Sequence, residues 1–306
     1  MQEQMEQLLN TVQSLGLSNA DIARISGKST GTVSQVLSRK YKGRREVVGE
    51  IASSLEAYSA KMAADMEEAR DGTKWYTDGQ NLIMSVLFLT YKTQGFSVVV
   101  GPSGIGKTYT AQSFLDKHSG DVQYLRCADG MCMGDVIDAL LETTGTPCYG
   151  SNSQRLKRAI RALKGQGVRM LLVDEADLLV TDGSKPKILK KISVFREVKE
   201  AGIGVSLIGL ESFDTALRIV GETYVTSRID LFRHANIPTA AELEHYMACL
   251  GVDPETEGGR RAVQLAPKNG SMRFIEKTVQ ITKQLSGNMM EALRFLFAAS
   301  DHVKGV

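Results

Sequence analysis

The stretch FSVVVGPSGIGKTYTAQSF, residues 96–114, decides the fold around which the rest of the chain is organised. Its centre, GPSGIGKT, matches the spacing G-x-x-x-x-G-K-[ST], with an apolar β-branched run before it and a helical pattern after it. Glycines let successive backbone N–H groups curl around phosphates, and the start of the following helix adds positive dipole. Lys107 is expected to reach the β- and γ-phosphates of a nucleotide, and the Thr108 hydroxyl to bind Mg²⁺. The predicted nucleotide-binding residues are Gly101, Pro102, Ser103, Gly104, Ile105, Gly106, Lys107, Thr108 and Tyr109.

A second motif, LLVDEAD at residues 171–177, ends a buried apolar run in two adjacent carboxylates. Asp174 is expected to hold Mg²⁺ through water, and Glu175 to orient and polarise the water that attacks the γ-phosphate. The letters DEAD at 174–177 raise a helicase alternative, but we find no partner helicase motifs, and 306 residues cannot hold two helicase cores beside the end segments. The two motifs together predict ATP hydrolysis.

Strand and helix patterns alternate through the middle of the chain. An amphipathic helix is predicted at 81–92, and strands at 96–100, 122–128, 168–176 and 204–210. Strands that alternate with helices indicate a parallel sheet with helical crossovers. The predicted domains are a helix-turn-helix domain at 1–55, a linker at 56–78, an ATPase core at 79–235 and a C-terminal helical domain at 236–306.

Composition and total charge exclude several classes of protein. The chain is 42% hydrophobic and 24% charged with a net charge of +2, which is ordinary for a globular protein of about two domains. The longest apolar runs, at 82–89 and 170–180, are shorter than the roughly 20 residues of a membrane span. The first ten residues lack the pattern of a signal peptide, so we expect a cytoplasmic protein. The four cysteines show no metal-ligand spacing, and buried reduced thiols are expected.

Residues 15–43 predict a helix-turn-helix, in which Gly27 makes the turn and Ser29 or Thr30 caps the second helix. Between residues 22 and 45 there are seven basic residues and no acid, which is typical of a DNA-binding surface. The predicted DNA contacts are Lys28, Thr30, Thr32, Gln35, Arg39, Lys40, Lys42, Arg44 and Arg45. A helical dimerisation or protein-docking module is the alternative for this segment.

Two further basic stretches lie in the ATPase core. Residues 153–169 carry six basic residues and no acid, and residues 184–199 carry six with Glu197 as the one acid. Charged helices are most often solvated faces. The alternative is that these helices follow a DNA backbone when subunits assemble.

The two nucleotide motifs and the helical C-terminal region resemble the AAA+ ATPases. In that family an arginine of one subunit reaches the γ-phosphate in its neighbour. The segment TSRIDLFRHANI at 226–237 occupies the corresponding place, with Arg228 the first candidate and Arg233 the second. The lid-like segment GSMRFIEKTVQIT places Arg273 at a helix start, where the resemblance implies contact with nucleotide. The chain departs from the family at Leu210, where a polar residue usually senses the γ-phosphate.

The order of the parts is similar to that of the Mu B-type ATPases, the target selectors of DNA transposition. The resemblance extends from STGTVSQVLSRKYKG through GPSGIGKT and LLVDEAD to GSMRFIEKTV. It implies an α/β fold: an AAA+ P-loop core with a parallel sheet, an N-terminal all-α helix-turn-helix domain and a small C-terminal helical domain. It also implies an ATP-dependent helical filament on double-stranded DNA, with little sequence preference, that presents target DNA to a transposase.

Two other functions stay open at this point. A helicase loader or replication initiator of the same superfamily would share the ATP site and DNA binding, but its partner would be a replicative helicase. A transcription regulator would use the helix-turn-helix to read one operator and the ATPase core as a switch. Binding to a single palindromic site would favour the regulator.

Overall fold

The computed structural model of the chain describes residues 8, 12, 19–69, 76–181, 184–220, 229–285 and 288–303. The helices are α1 (Asn19–Ser26), α2 (Thr30–Leu37), α3 (Arg45–Ala69), α4 (Asp78–Thr93), α5 (Lys107–Lys117), α6 (Met133–Thr143), α7 (Asn152–Gly165), α8 (Lys185–Glu200), α9 (Glu211–Val220), α10 (Ala240–Cys249), α11 (Glu257–Asn269), α12 (Ser271–Gln284) and α13 (Met289–Val303). The strands are β1 (Phe96–Val100), β2 (Val122–Arg126), β3 (Met170–Asp174), β4 (Gly204–Gly209) and β5 (Leu231–His234), and a short 3₁₀ helix covers Ala176–Leu179.

The five strands form one parallel sheet in the order β2-β3-β4-β1-β5. The parallel sheet predicted from the sequence is confirmed, and β1 to β4 lie within the four predicted runs. The fifth strand is not among the predicted ones: β5 falls in the segment 226–237, whose predicted feature is its two candidate arginines. Its four residues, LFRH, include two polar side chains and lack the apolar run that marks a buried strand.

Helices cover both faces of the sheet, and the strand residues alternate between them. Val98 and Val100 pack with side chains of α6, α7, α8 and α9, whereas Val99 packs with side chains of α4 and α5. Each large apolar side chain buried in this way stabilises the fold by about 1.5–3 kcal/mol. Burial on both faces explains why the central strands read as continuous apolar runs rather than as alternating ones.

The register of the sheet brings the two nucleotide motifs to the same edge. Val100 of β1 pairs with Gly209 of β4, and Leu207 of β4 pairs with Val173 of β3. The P-loop therefore leaves β1 beside the end of β4, one strand away from Asp174 and Glu175. Ligands of open parallel sheets bind at this carboxyl edge.

The N-terminal helices pack around a small core of their own. Ile22, Val33 and Val36 are fully buried against Ile51 and Leu55 of α3. Gly27 has a φ of +66° in the turn between α1 and α2, and the Ser29 side chain accepts the Thr32 N–H as the N-cap of α2. These helices and their turn lie where the sequence predicts them, and their assignment as a DNA-binding helix-turn-helix stays a prediction.

Helix α3 is continuous from the N-terminal core towards the ATPase core, since Tyr58 packs against the sheet cluster of α4 and α5. Helices α10 to α13 enclose a separate cluster that includes Leu243, Ile275 and Leu293. The domain boundaries drawn from the sequence stay predictions. In the described ranges, no helix is long and apolar enough to cross a membrane.

The expectation of buried cysteines is wrong for three of the four. All four thiols are free, but only Cys127 is buried, while Cys132, Cys148 and Cys249 are exposed. Cys127 follows β2 inside the sheet layer, whereas the other three lie at helix or loop surfaces.

Candidate nucleotide-binding site

The P-loop turns between β1 and α5 around a cavity of 490 Å³. Gly104 and Gly106 have φ values of +81° and +88°, which favour glycine. A Cβ atom at Gly104 would also lie 1.9 Å from the carbonyl oxygen of Gly270. The glycine spacing of the motif thus serves both the turn of the loop and its close approach to the C-terminal domain.

Lys107 lies inside this loop. Its Nζ donates to the carbonyl oxygens of Gly101 at 2.8 Å and Pro102 at 2.7 Å. Burial lowers the pKa of Lys107 to about 8, while the nearby carboxylates of Asp177 and Asp174 act in the opposite direction. An incoming phosphate would offer this partly desolvated ammonium a far better acceptor than two carbonyl groups.

Asp174 is the most buried carboxylate at the cavity, with 1% of its surface exposed. One oxygen accepts from the Tyr124 hydroxyl at 3.0 Å, and the other accepts the Glu175 N–H at 2.8 Å. None of the ion pairs found in the described ranges involves Asp174. A buried carboxylate without a paired cation, facing the cavity with the Thr108 hydroxyl, is a donor set that fits Mg²⁺.

Glu175 begins the 3₁₀ turn after β3 in a left-handed conformation, with a φ of +54°. Its carboxylate accepts from Arg126 Nε at 2.8 Å and Arg126 Nη2 at 2.7 Å. These hydrogen bonds lower the pKa of Glu175. Arg126 carried no recognisable signal in the sequence, because the contact depends on the register of β2 with β3.

Leu210 lies at the cavity, at the position where the resemblance to the AAA+ ATPases predicts a polar sensor. Its backbone N–H donates to Asp177 Oδ1 at 2.9 Å. Asp177 is buried and also lines the cavity, so the last letter of the DEAD motif joins the site. Sequence reasoning used Asp177 only as part of a motif and gave it no role.

The C-terminal domain closes one side of the cavity. The Met272 N–H donates to the Gly104 carbonyl at 3.1 Å, and Arg273 Nη1 lies 3.5 Å from Ser103 Oγ. Tyr246 and Glu276, which sequence reasoning missed, hydrogen-bond to each other at the cavity wall. Arg273 is therefore at the P-loop, and its contact with nucleotide stays a prediction.

Of the two arginines predicted to act between subunits, the structure describes only Arg233. Arg228 lies outside the described residues. Arg233 is half-buried on β5, where its Nη1 donates to the Phe232 carbonyl at 2.9 Å, and burial lowers its pKa. Arg233 is not among the residues that line the cavity of its own chain.

The predicted DNA-binding residues differ in their contacts and exposure. Lys28 forms an ion pair with Glu50, and the Thr32 hydroxyl lies 2.9 Å from Ser29 Oγ. The side chain of Arg45 lies outside the described part of the structure. The remaining members are exposed on or just after α2: Thr30, Gln35, Arg39, Lys40, Lys42 and Arg44.

Comparisons with known proteins agree with this geometry. The family described as AAA domain matches residues 90–217. The DNA transposition protein B of the Mu-like prophage FluMu of Haemophilus influenzae is 26% identical, over 66% of this chain and 67% of that protein. The ATP-dependent target DNA activator B of Escherichia phage Mu is 25% identical, over 85% of this chain and 81% of that protein. The structure of the Aeropyrum pernix ORC2 protein in its ADP form has a TM-score of 0.51 at 14% identity, covering 71% of this chain and 67% of that one.

The parallel sheet, the P-loop and the AAA domain match define this chain as an ATPase of the AAA+ class. Within that class it is similar to the Mu B-type ATPases, the type to which both curated relatives belong. The family resemblance read from the sequence is confirmed.

Proposed function

We propose that this chain is an ATP-dependent DNA-binding protein that selects target DNA and activates a transposase. The observation that supports the proposal most is the fraction of the chain that is similar to the target DNA activator B. The match to the target DNA activator B covers 85% of the chain, whereas the AAA domain alone accounts for residues 90–217. A general ATPase would share only the core. Because these relatives belong to bacterial phages and prophages, the proposed place of action is the bacterial cytoplasm, on DNA.

The proposed nucleotide is ATP with Mg²⁺. The P-loop amides and Lys107 bind the phosphates, Arg273 contacts them from the C-terminal domain, and Asp174 and Thr108 hold the metal. Bound Mg²⁺ supplies positive charge that offsets the charge of the phosphates during transfer. Glu175 orients the attacking water and accepts its proton. For that role Glu175 has to leave Arg126, so the pair describes a resting arrangement of the site.

The proposed DNA surface begins at the exposed side of α2. The cations Lys40, Lys42 and Arg44 follow this helix closely, and no acid occurs between residues 22 and 45. Clusters of exposed lysine and arginine bind phosphates of any sequence. The segment lacks the arginine and asparagine pairs that read base edges in the major groove, so little sequence preference is expected.

Assembly of several copies on DNA completes the proposal. Arg228 is the proposed residue that reaches the γ-phosphate held by a neighbouring copy, where a positive charge would stabilise the transition state. Hydrolysis would then depend on assembly, and ATP would time how long the helical filament stays on DNA. Contact with the transposase would stimulate hydrolysis and release.

Binding to a fluorescent random-sequence duplex tests the proposal. It is measured with ATP, ADP or no nucleotide across a salt series. Cooperative binding that needs ATP and ignores sequence is the expected result. Binding to one palindromic site without regard to nucleotide would favour a transcription regulator instead.

The transposase role needs its own measurement. Strand transfer by a purified transposase of a Mu-like element is followed with the wild-type chain and with Lys107→Ala. Stimulation by the wild type alone supports the proposal. If neither protein stimulates strand transfer but the wild type binds a replicative helicase, the function is that of a helicase loader.

A further inference from the structure

The end of β4 is tied to the turn that carries Glu175 by one buried carboxylate. Asp177 lies in the 3₁₀ helix Ala176–Leu179, for which Glu175 is the N-cap. Its Oδ1 accepts the Leu210 N–H at 2.9 Å, immediately after β4 ends at Gly209. A single side chain thus joins the segment after β3 to the segment after β4 at the cavity wall.

The contact is tight as well as polar. A Cβ atom placed on Gly209 would lie 3.0 Å from both the backbone nitrogen and Oδ1 of Asp177. Almost no space separates the two segments, so neither can shift without moving the other. Since Glu175 lies two residues before Asp177, its position depends on this junction.

Leu210 makes the junction more important in this chain. It lines the cavity but offers no side-chain hydrogen bond to the nucleotide or to water. The only polar groups of Leu210 are those of its backbone, and Asp177 holds this backbone in place by accepting the Leu210 N–H. Asp177, Leu210 and Glu175 all line the cavity.

We propose that Asp177 is a positioning residue for ATP hydrolysis. By accepting the Leu210 N–H it holds the 3₁₀ turn, and with it the left-handed Glu175, at the distance from the P-loop that water attack requires. Displacement of a catalytic group by about 1 Å can lower a rate roughly 10²-fold. The P-loop touches this junction only through its backbone, where the Gly101 N–H donates to the Gly209 carbonyl at 3.3 Å. The carboxylate of Asp177 bonds to the Leu210 N–H rather than to the loop, so its loss should change nucleotide binding much less than hydrolysis.

The first test compares Asp177→Ala with Asp177→Asn by steady-state ATP hydrolysis and by binding of a fluorescent ATP analogue. Asp177→Ala should lower kcat at least about tenfold and leave KM and analogue affinity within about twofold. Asp177→Asn keeps an oxygen acceptor and should stay within about threefold of wild type. Asp129→Ala is the matched control, because Asp129 accepts from Thr181 Oγ1 at 2.8 Å but does not line the cavity.

Gly209→Ala perturbs the same junction from the opposite segment while Asp177 stays chemically intact. It should lower kcat by a larger factor than it raises KM, even if Asp177→Ala does not fold, because Gly209 also accepts the Gly101 N–H of the P-loop. The proposal is overturned if Asp177→Ala or Gly209→Ala keeps normal kcat, if Asp177→Asn is as slow as Asp177→Ala, or if KM worsens as much as kcat falls.

This inference rests on the proposed role of Glu175, and one further variant separates the two. If wild type hydrolyses ATP and Glu175→Gln does not, the role of Glu175 stands whatever Asp177 does. If Glu175→Gln hydrolyses ATP normally, Glu175 does not activate the attacking water and the proposed mechanism is wrong. The Asp177 proposal then fails with it.

Discussion

Arg126 at the end of β2 holds Glu175 at the end of β3 through two hydrogen bonds, 2.8 Å from Nε and 2.7 Å from Nη2. The pair is in contact with solvent, since the Arg126 side chain is 63% exposed and that of Glu175 is 35% exposed. Ion pairs between solvent-exposed side chains contribute little to stability, so the contact is weak enough to break. While it persists, each oxygen of Glu175 accepts from Arg126, which makes the carboxylate a weaker base for the proposed water.

Arg126→Ala should raise the basal rate of ATP hydrolysis by about two- to fivefold. The range is small because an exposed ion pair is weak and its loss changes the population of unpaired Glu175 only a few-fold. Phosphate release is measured without DNA or partner. Arg260→Ala is the control, since it removes an exposed pair with Glu255, at 3.6 Å, far along the chain in the C-terminal domain. A slower rate in Arg126→Ala would mean that Arg126 assists hydrolysis rather than holding Glu175 back.

Lys107→Ala should weaken ATP binding roughly 10- to 100-fold and abolish ATP-dependent DNA binding. The reason is the loss of charge-assisted hydrogen bonds to phosphate, which contribute about 1.5–3 kcal/mol. Fluorescent nucleotide titration measures the affinity, and the duplex assay measures its consequence. Lys117→Ala, at the exposed end of the same helix, is the control. Normal ATP-dependent DNA binding by Lys107→Ala would contradict the assignment of this loop.

The sequence was sufficient for the central sheet and the P-loop because both have strong local signals. Strands buried on two faces read as apolar runs, and the glycine spacing of a phosphate loop is hard to mistake. The same reasoning missed β5, whose four residues include Arg233 and His234 and whose burial is only partial. Its place comes from pairing with β1, which is a long-range property of the chain.

The residues of the candidate site also fall into two groups, those that the sequence predicts and those that only the structure reveals. Lys107, Asp174 and Glu175 could be predicted because each belongs to a short motif. The partners that orient them, Arg126 and Tyr124, become visible only in the register of β2 with β3. The contact of Asp177 with Leu210 joins residues 33 positions apart through a backbone N–H, for which no side-chain pattern exists.

Three of the four thiols should react quickly with a chromogenic disulfide reagent at pH 8, and Cys127 slowly. Cys127 is 2% exposed, and burial raises the pKa of its thiol to about 12, so almost no thiolate is present at pH 8. Thiolate release is followed in buffer and then in denaturant, where all four should react. Cys127→Ala should remove only the slow thiol. Four fast thiols in the wild type would show that the sheet layer around Cys127 opens readily.

Glu175→Gln should bind ATP normally but hydrolyse it about 10²- to 10⁴-fold more slowly, the usual contribution of a general base. Glutamine keeps the size of the side chain but cannot accept the proton of the water. The complex with DNA should therefore last longer after excess competitor duplex is added. Asp129→Ala is again the control. Rapid dissociation despite blocked hydrolysis would mean that ATP turnover does not time DNA release.

The exposed basic residues of α7 are either a solvated helix face or a second DNA-binding surface, and replacing them tests which. Lys157, Arg161 and Lys164 are exposed along one side of this helix, opposite the buried Leu156, Ala159 and Leu163. Over seven residues the helix rises about 10 Å, comparable to three base-pair steps of about 3.4 Å. In the described ranges, none of the ion pairs involves these three cations, whereas Arg155 on the same helix pairs with Asp138.

Replacing all three with alanine should lower the slope of log affinity against log salt by up to about 2.7, since each phosphate contact contributes about 0.9. The matched control replaces three exposed cations of the C-terminal helices: Lys268, Lys277 and Arg294. Basal ATP hydrolysis should be unchanged in both variants, because neither set lines the cavity. An unchanged salt slope in the α7 variant would make this face an ordinary solvated surface. The cations around α2 would then account for the phosphate contacts, and replacing Lys40, Lys42 and Arg44 should lower the slope instead.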